Sequence, residues 1–314
     1  MYWELLFTLV IQLLAPIVPS AFSKRLTGDA ILLSEVIPSL QSLRNNKPGK
    51  IKPKYSSEGE AWLGIPEFDI LAQNITIPGF SPLFPDAHCT INGVVCQVTT
   101  GEAEINAALT ISSLLHSSIF DLKTTYFLIA GVAGVNPKLA TIGSVTYARF
   151  AVQVALQYEF DAREKPVYSP TGYIPQGSTA PWQYPSELYG TEVYEINDAL
   201  RKLAVTFANE AKLADSAASQ ERRSRYAITD AYAAGAAPPS IVRCDTATSD
   251  NFWSGHLLAE AFENTTKLFT HGAGVYCTSQ QEDNAILAAL LRGALRGAVD
   301  FARIIIQRAA SDFD

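Results

Sequence analysis

At 314 residues the chain has room for one large domain or two ordinary ones. Hydrophobic residues make up 48% and charged residues 18%, so a sizeable core can form. The formal charge is −7 and no Lys/Arg block is present, which argues against a nucleic-acid partner. The nearest cluster, Arg222, Arg223 and Arg225 beside Glu221, reads as a solvated helix face.

In chain order, Leu5–Val18 is an apolar run with a small residue at a cleavage point near Val18-Pro19-Ser20, so residues 1–21 read as an export signal. The run is short and interrupted for a membrane span, and no other segment approaches about 18 unbroken apolar residues. Residues 22–57 form a polar leader with one apolar patch at Ala30–Ile37, and the acidic turn Ser57–Trp62 follows. Gly79–Asp86 is loop, Val94–Thr99 a strand and Glu102–Ser118 a helix. The apolar run Tyr126–Ala130 predicts a buried strand that stops at a Gly-x-x-Gly turn made by Gly131 and Gly134. Such a turn bares backbone N–H groups at the carboxyl edge of a sheet, where α/β folds hold ligands. It lacks the Lys and Ser/Thr of a phosphate loop.

A β-rich run at Thr141–Ala148 and a strand at Ala151–Tyr158 come next. Arg163–Gly190, rich in Pro, Tyr and Gly, reads as a surface excursion. Helices are expected at Glu192–Ala214, Gln220–Ala234, Gly255–Thr265 and Gln281–Leu291, with strands at Ser240–Cys244 and Phe301–Gln307. Strands alternating with helices predict an α/β fold with a mixed, mostly parallel sheet.

The four cysteines are even in number and none has C-x-x-C spacing. Cys89 and Cys96 flank the turn-forming Asn92-Gly93, so a hairpin joins their sulfurs; Cys244 with Cys277 follows by elimination. Disulfides, with acceptor triplets at Asn74-Ile-Thr76 and Asn264-Thr-Thr266, agree with export to the cell surface or medium. His88, His116, His256 and His271 are scattered without ligand spacing, so neither metal nor cofactor is expected.

Five segments carry a family resemblance. They are GEAEINAALTIS (Gly101–Ser112), Tyr126–Glu164, CDTATSDNFWSG (Cys244–Gly255), QQEDNA (Gln280–Ala285) and RAASDFD (Arg308–Asp314). In order and spacing the chain resembles the fungal purine nucleoside permeases from about Glu58 to its end. That family is similar to the nucleoside phosphorylase and methylthioadenosine nucleosidase superfamily. The resemblance implies a single three-layer, nucleoside phosphorylase-like domain over residues 58–314 and a purine nucleoside across the carboxyl edge of its sheet. It casts Asp312, after Ser311, as the acid that protonates the departing base, which is general acid catalysis. Phe252, with Trp253 beside it, stacks on the base. Glu282 holds the ribose hydroxyls, with Asp283 the candidate if the register slips by one. Gly131 and Gly134 line the sugar end, and Glu60 activates a water in the hydrolytic relatives. The superfamily also implies a homo-oligomer with sites near subunit contacts.

Taken alone, Asp312 is a terminal carboxylate, Glu282 and Asp283 are helix-start charges and Phe252-Trp253 is core. Three departures from the pattern matter. Phosphorylases place an Arg two residues before the first glycine, where this chain has Ile129. A phosphate dianion needs such a partner, so hydrolysis is favoured over phosphorolysis. Lys50–Tyr55 stands where the superfamily's first strand belongs, too short and too charged to be one, so that central strand is expected to be missing. The family's final helix after the Ser-Asp pair is also expected to be absent. Without a second apolar span the chain forms no helical path through a membrane by itself. A role in uptake would then be binding or chemistry beside a membrane transporter. The readings in play are a purine nucleosidase, a nucleoside-binding accessory without bond cleavage, and a shortened inactive relative.

Overall fold

The computed structural model describes residues 30–34, 59–65 and 69–314, with backbone alone for 30–34, 60 and 61. The expected export signal, most of the polar leader and Lys50–Tyr55 lie outside the described residues. Strands β1 (Ala30–Ser34), β2 (Gln73–Thr76), β3 (Asp86–Cys89) and β4 (Val95–Thr99) precede helix α1 (Ala103–His116). A short 3-10 turn, Gly59–Trp62, lies between β1 and β2. Next come β5 (Tyr126–Val135), β6 (Val145–Ala148), β7 (Phe150–Gln153), β8 (Gln157–Glu159), β9 (Tyr173–Pro175) and β10 (Val193–Glu195). The chain continues through α2 (Asp198–Ala208), α3 (Ala217–Ser224), α4 (Ala233–Ala236), β11 (Ile241–Arg243), β12 (Asp245–Thr248) and α5 (His256–Phe269). It ends with β13 (Tyr276–Gln280), α6 (Asp283–Leu295) and β14 (Ile304–Phe313).

The sheet is mixed, and its central pairs are mostly parallel. β14 runs parallel to β5, and β12 runs parallel to both β7 and β13. Antiparallel pairs join β2 to β3 and β3 to β4, and β13 meets the end of β5 in the same sense. Apolar residues alternate in direction along the central strands, which is why those strands read as unbroken apolar runs. Phe127, Ile129, Ile304 and Ile306 pack with Ile111 and Leu114 of α1 and Ile286 and Leu290 of α6. Leu128, Ala130 and Ile305 pack on the opposite face with Ala204 and Ala208 of α2. Each fully buried Ile or Phe contributes about 1.5–3 kcal/mol, so the helices on both faces hold the sheet edge rigid.

Several expectations are corrected. The central strand is present. β1 lies parallel between β4 and β5, pairing Ala30 with Val95 and Tyr126, and Ser34 with Thr99 and Ala130. A segment read as part of the polar leader thus supplies this strand. The inner edges of β4 and β5 need backbone partners, and the apolar Ala30–Ser34 segment provides them. The Gly-x-x-Gly segment is no turn either: β5 runs unbroken through Gly131 and Gly134. Neither glycine has positive φ. At Gly134 the constraint is space, since a Cβ would lie 2.6 Å from Ser279 Oγ on β13.

The expected helix from Glu192 begins later. Val193–Glu195 pairs with β7, and the Asn197 side chain caps α2 by accepting from Ala199 N and Leu200 N. The Gln220–Ala234 helix breaks into α3, two 3-10 turns and α4. Arg223 is not solvated; it is 6% exposed and paired with Asp215. Ala151–Tyr158 divides into β7 and β8. Both expected disulfides are present. Cys89–Cys96 closes the β3–β4 hairpin, and Cys244–Cys277 ties the start of β12 to β13.

Candidate functional site

The carboxyl ends of β5, β12, β13 and β14 surround a cleft of about 520 Å³, counting its open mouth. Gly134 contributes from β5, Phe252 and Trp253 from the loop after β12, Glu282 from the entry to α6, and Ser311 and Asp312 from β14.

Asp312 reaches the cleft through a register shift. β14 pairs with β5 residue for residue up to Ala310, then shifts so that Asp312 faces Gly134. Bulges of this kind re-aim side chains. The Ser311 hydroxyl donates to Asp312 Oδ1 at 2.6 Å, and Asp312 is exposed at the cleft mouth.

Glu282 is 3% exposed and is tied to two helix starts, through its carboxylate at one and its backbone N–H at the other. Its Oε1 accepts the Ala103 N–H at 2.9 Å, at the first residue of α1, and its own N–H donates to Gln280 Oε1 at 2.7 Å. Ala103 holds φ at 70°, a strained value for a residue with a side chain, and this brings its N–H to Glu282. Helix N-termini favour an anion there.

Asp283 does not line the cleft. It is fully buried and paired with Arg308, whose Nε stands 3.3 Å from Asp283 Oδ2. Glu282 thus faces the cleft, and Asp283 lies beneath it. Gly131 is also absent from the lining, being held within β5 opposite Arg308. Arg308 and Gln280 are the residues that sequence reasoning missed. Gln280 Oε1 accepts the N–H groups of Glu282 and Asp283, while its Nε2 donates to Thr246 and Thr248 hydroxyls. The signal available was an Arg inside the apolar run of β14.

Phe252 is 77% exposed and forms the rim. Trp253 is half-buried, edge-on to Phe262 at 4.6 Å, and its Nε1 donates to Tyr276 Oη at 3.3 Å. Tyr276 Oη in turn donates to Asp314 Oδ2. Burial pushes the Asp314 carboxyl up to about 6, with Asp312 adding to the rise and the Tyr276 hydrogen bond opposing it. Glu60 sits in the Gly59–Trp62 turn, and its side chain lies outside the described residues. Ile129 is fully buried in the α1–α6 face of the core, away from the cleft. Among the described residues, no group of three or more His, Cys, Asp or Glu gathers in metal-binding geometry.

The family model described as purine nucleoside permease matches residues 51–314. A purine nucleoside permease of Candida albicans is 44% identical over 262 residues, covering 82% of this chain and 63% of that protein. The chain thus spans less than two thirds of that relative's length. A Schizosaccharomyces pombe protein described as a probable purine nucleoside permease is 38% identical over 304 residues, covering 92% of this chain and 86% of that protein. Among solved structures, a methylthioadenosine/S-adenosylhomocysteine nucleosidase of Campylobacter jejuni aligns with a TM-score of 0.46 at 17% identity, over 91% of this chain and 86% of that one. Futalosine hydrolase of Helicobacter pylori aligns with a TM-score of 0.44 at 15% identity, over 91% and 88%. With five motif segments in order and a family match across most of its length, the chain belongs to the purine nucleoside permease family.

Proposed function

We propose that the cleft binds a purine nucleoside and that the protein hydrolyses its N-glycosidic bond. The observation that carries the reading is the gathering of Asp312, Phe252 and Glu282 around Gly134 in one cleft. The base stacks on Phe252 with its N7 toward Asp312, and Glu282 accepts from the ribose hydroxyls. Asp312 gives a proton to N7 as the bond from C1′ to N9 breaks, so the purine leaves neutral. The oxygen of water bonds to C1′ and its proton passes to a base, the role we assign to Glu60. The nucleophile is water because the position that holds phosphate in phosphorylases is Ile129, which is buried. Arg308 is likewise committed to Asp283.

Incubation with inosine or adenosine, with and without phosphate, tests this. Free purine and ribose should appear without phosphate and vanish in Asp312→Asn. Product seen only with phosphate, as ribose 1-phosphate, would refute hydrolysis.

The exposure of Asp312 favours a second reading, binding without cleavage, because a general acid gains from burial. Saturable inosine binding with no release of purine would support it. Among the described residues no helix is long and apolar enough to cross a membrane. We therefore assign any part in uptake to binding or chemistry beside a transporter. The two disulfides support placing the protein at the cell surface or in the medium.

A further inference from the structure

Behind the cleft's aromatic wall runs a hydrogen-bonded chain. Trp253 Nε1 donates to Tyr276 Oη, and Tyr276 Oη donates to Asp314 Oδ2. A phenol has one proton. While Asp314 accepts that proton, the Tyr276 oxygen presents its lone pair to the indole, and the direction of the whole chain is set. Tyr276 is 1% exposed, so no solvent reaches it to substitute for either partner. Asp314 packs against the cleft floor: its N–H donates to Val135 O at 3.3 Å, and its Cβ lies 3.5 Å from where a Cβ on Gly134 would stand. Its Oδ1 is buried without a hydrogen-bond partner.

A half-satisfied buried carboxylate is a poor way to stabilise a fold. An Asn in its place would fill the same space without a buried charge. We propose that Asp314 is a positioning residue of the cleft, holding the Trp253 indole in place through Tyr276. Its role in ligand affinity rests on the nucleoside reading; the chain of hydrogen bonds does not.

The charged groups around the pair allow the carboxyl to change state in an ordinary pH range. Asp312 repels Asp314 and Lys138 attracts it, while Tyr226 and Glu263 also face the Tyr276–Asp314 pair. Lys138 is shared with Glu260 and Glu263, which weakens its hold on Asp314. Burial dominates, and the carboxyl takes a proton near pH 6. Protonated, the Asp314 carboxyl still accepts from Tyr276 Oη through its other oxygen but no longer carries a charge. The Tyr276–Asp314 hydrogen bond then loses its charge assistance, and the hold on the indole through Tyr276 weakens.

The test uses the full chain. Trp253 emission, taken as the difference between the protein and Trp253→Phe, is followed from pH 4.5 to 8. An inflection near pH 6 is expected, and it should vanish in both Asp314→Asn and Tyr276→Phe. Inosine affinity at pH 7.5 should fall about fivefold in Asp314→Ala, the effect of one hydrogen bond, and be largely retained in Asp314→Asn, which keeps an acceptor. Emission that titrates identically in Asp314→Asn overturns the proposal. If Asp314→Asn fails to melt cooperatively, Tyr276→Phe decides on the same readout: loss of the inflection supports the role, and its persistence overturns it. If no nucleoside binds but the inflection tracks Asp314, the positioning role stands and the nucleoside reading is what fails.

Discussion

Asp312 lies directly across from Gly134 in the β5–β14 pairing, one residue beyond the register shift at Ser311. That relationship joins the two features on which the cleft depends. The glycine lets β13 approach, and the shift turns the carboxylate toward the space so created.

The first prediction follows from that closeness. Gly134→Ala places a methyl 2.6 Å from Ser279 Oγ, and overpacking of this kind costs about 1–3 kcal/mol. A lowered thermal midpoint is expected, with partial recovery in Gly134→Ala/Ser279→Gly. An unchanged midpoint in the single variant would show that β13 is not in close contact at this point.

Beneath the cleft, Arg308 and Asp283 form an ion pair at 1% and 0% side-chain exposure. Removing one partner strands the other charge, so Arg308→Met should cost about 3–5 kcal/mol in urea unfolding. The double variant Arg308→Met/Asp283→Leu should recover most of that loss. Equal losses in single and double variants would count against a coupled pair.

The two disulfides close loops of different length, 7 and 33 residues apart. Chain entropy gives the longer loop the larger effect. Loss of Cys244–Cys277 should cost about 4 kcal/mol and loss of Cys89–Cys96 about 2 kcal/mol. Urea midpoints of the paired Cys→Ala variants check the order; the reverse order would contradict the loop-length argument.

The Asp314 carboxyl also makes stability depend on pH. Its native value, about 6, lies above the 3.8 of the free group, so the native state binds the proton more tightly than the unfolded chain. Its contribution is fully present below about pH 4 and is lost as pH rises through 6, a total of at most about 3 kcal/mol. Wild type should therefore lose stability relative to Asp314→Asn between pH 4 and 7. A constant difference in urea midpoint across that range would refute this.

Much of the frame was legible in the residue order because its causes are local. The apolar run Tyr126–Ala130 and the segment Phe301–Gln307 marked strands, although Phe301–Arg303 forms a 3-10 turn before the strand begins at Ile304, and Asn92-Gly93 between two cysteines marked a hairpin. The cleft residues Phe252, Glu282, Ser311 and Asp312 were named from motif resemblance, and the structure brings them together. Where local rules misled, a tertiary demand had overridden them. Gly131-x-x-Gly134 resembles a turn, but the glycine at 134 answers to Ser279, 145 residues away in sequence. The segment Ala30–Ser34 resembles part of a loose leader until the open edges of β4 and β5 receive it.

The sequence by itself determined which segments are apolar enough to form the buried strands and helices, which cysteines a hairpin joins, and which family motifs stand in which order. Only the tertiary structure decided that Glu282 and not Asp283 faces the cleft, that Arg308 is neutralised beneath it, and that Trp253 is tied through Tyr276 to Asp314. These outcomes depend on pairs 23 to 38 residues apart, such as Asp283 with Arg308 and Tyr276 with Asp314. Burial makes such partners obligatory, but periodicity along the chain carries no record of which distant group will meet the need.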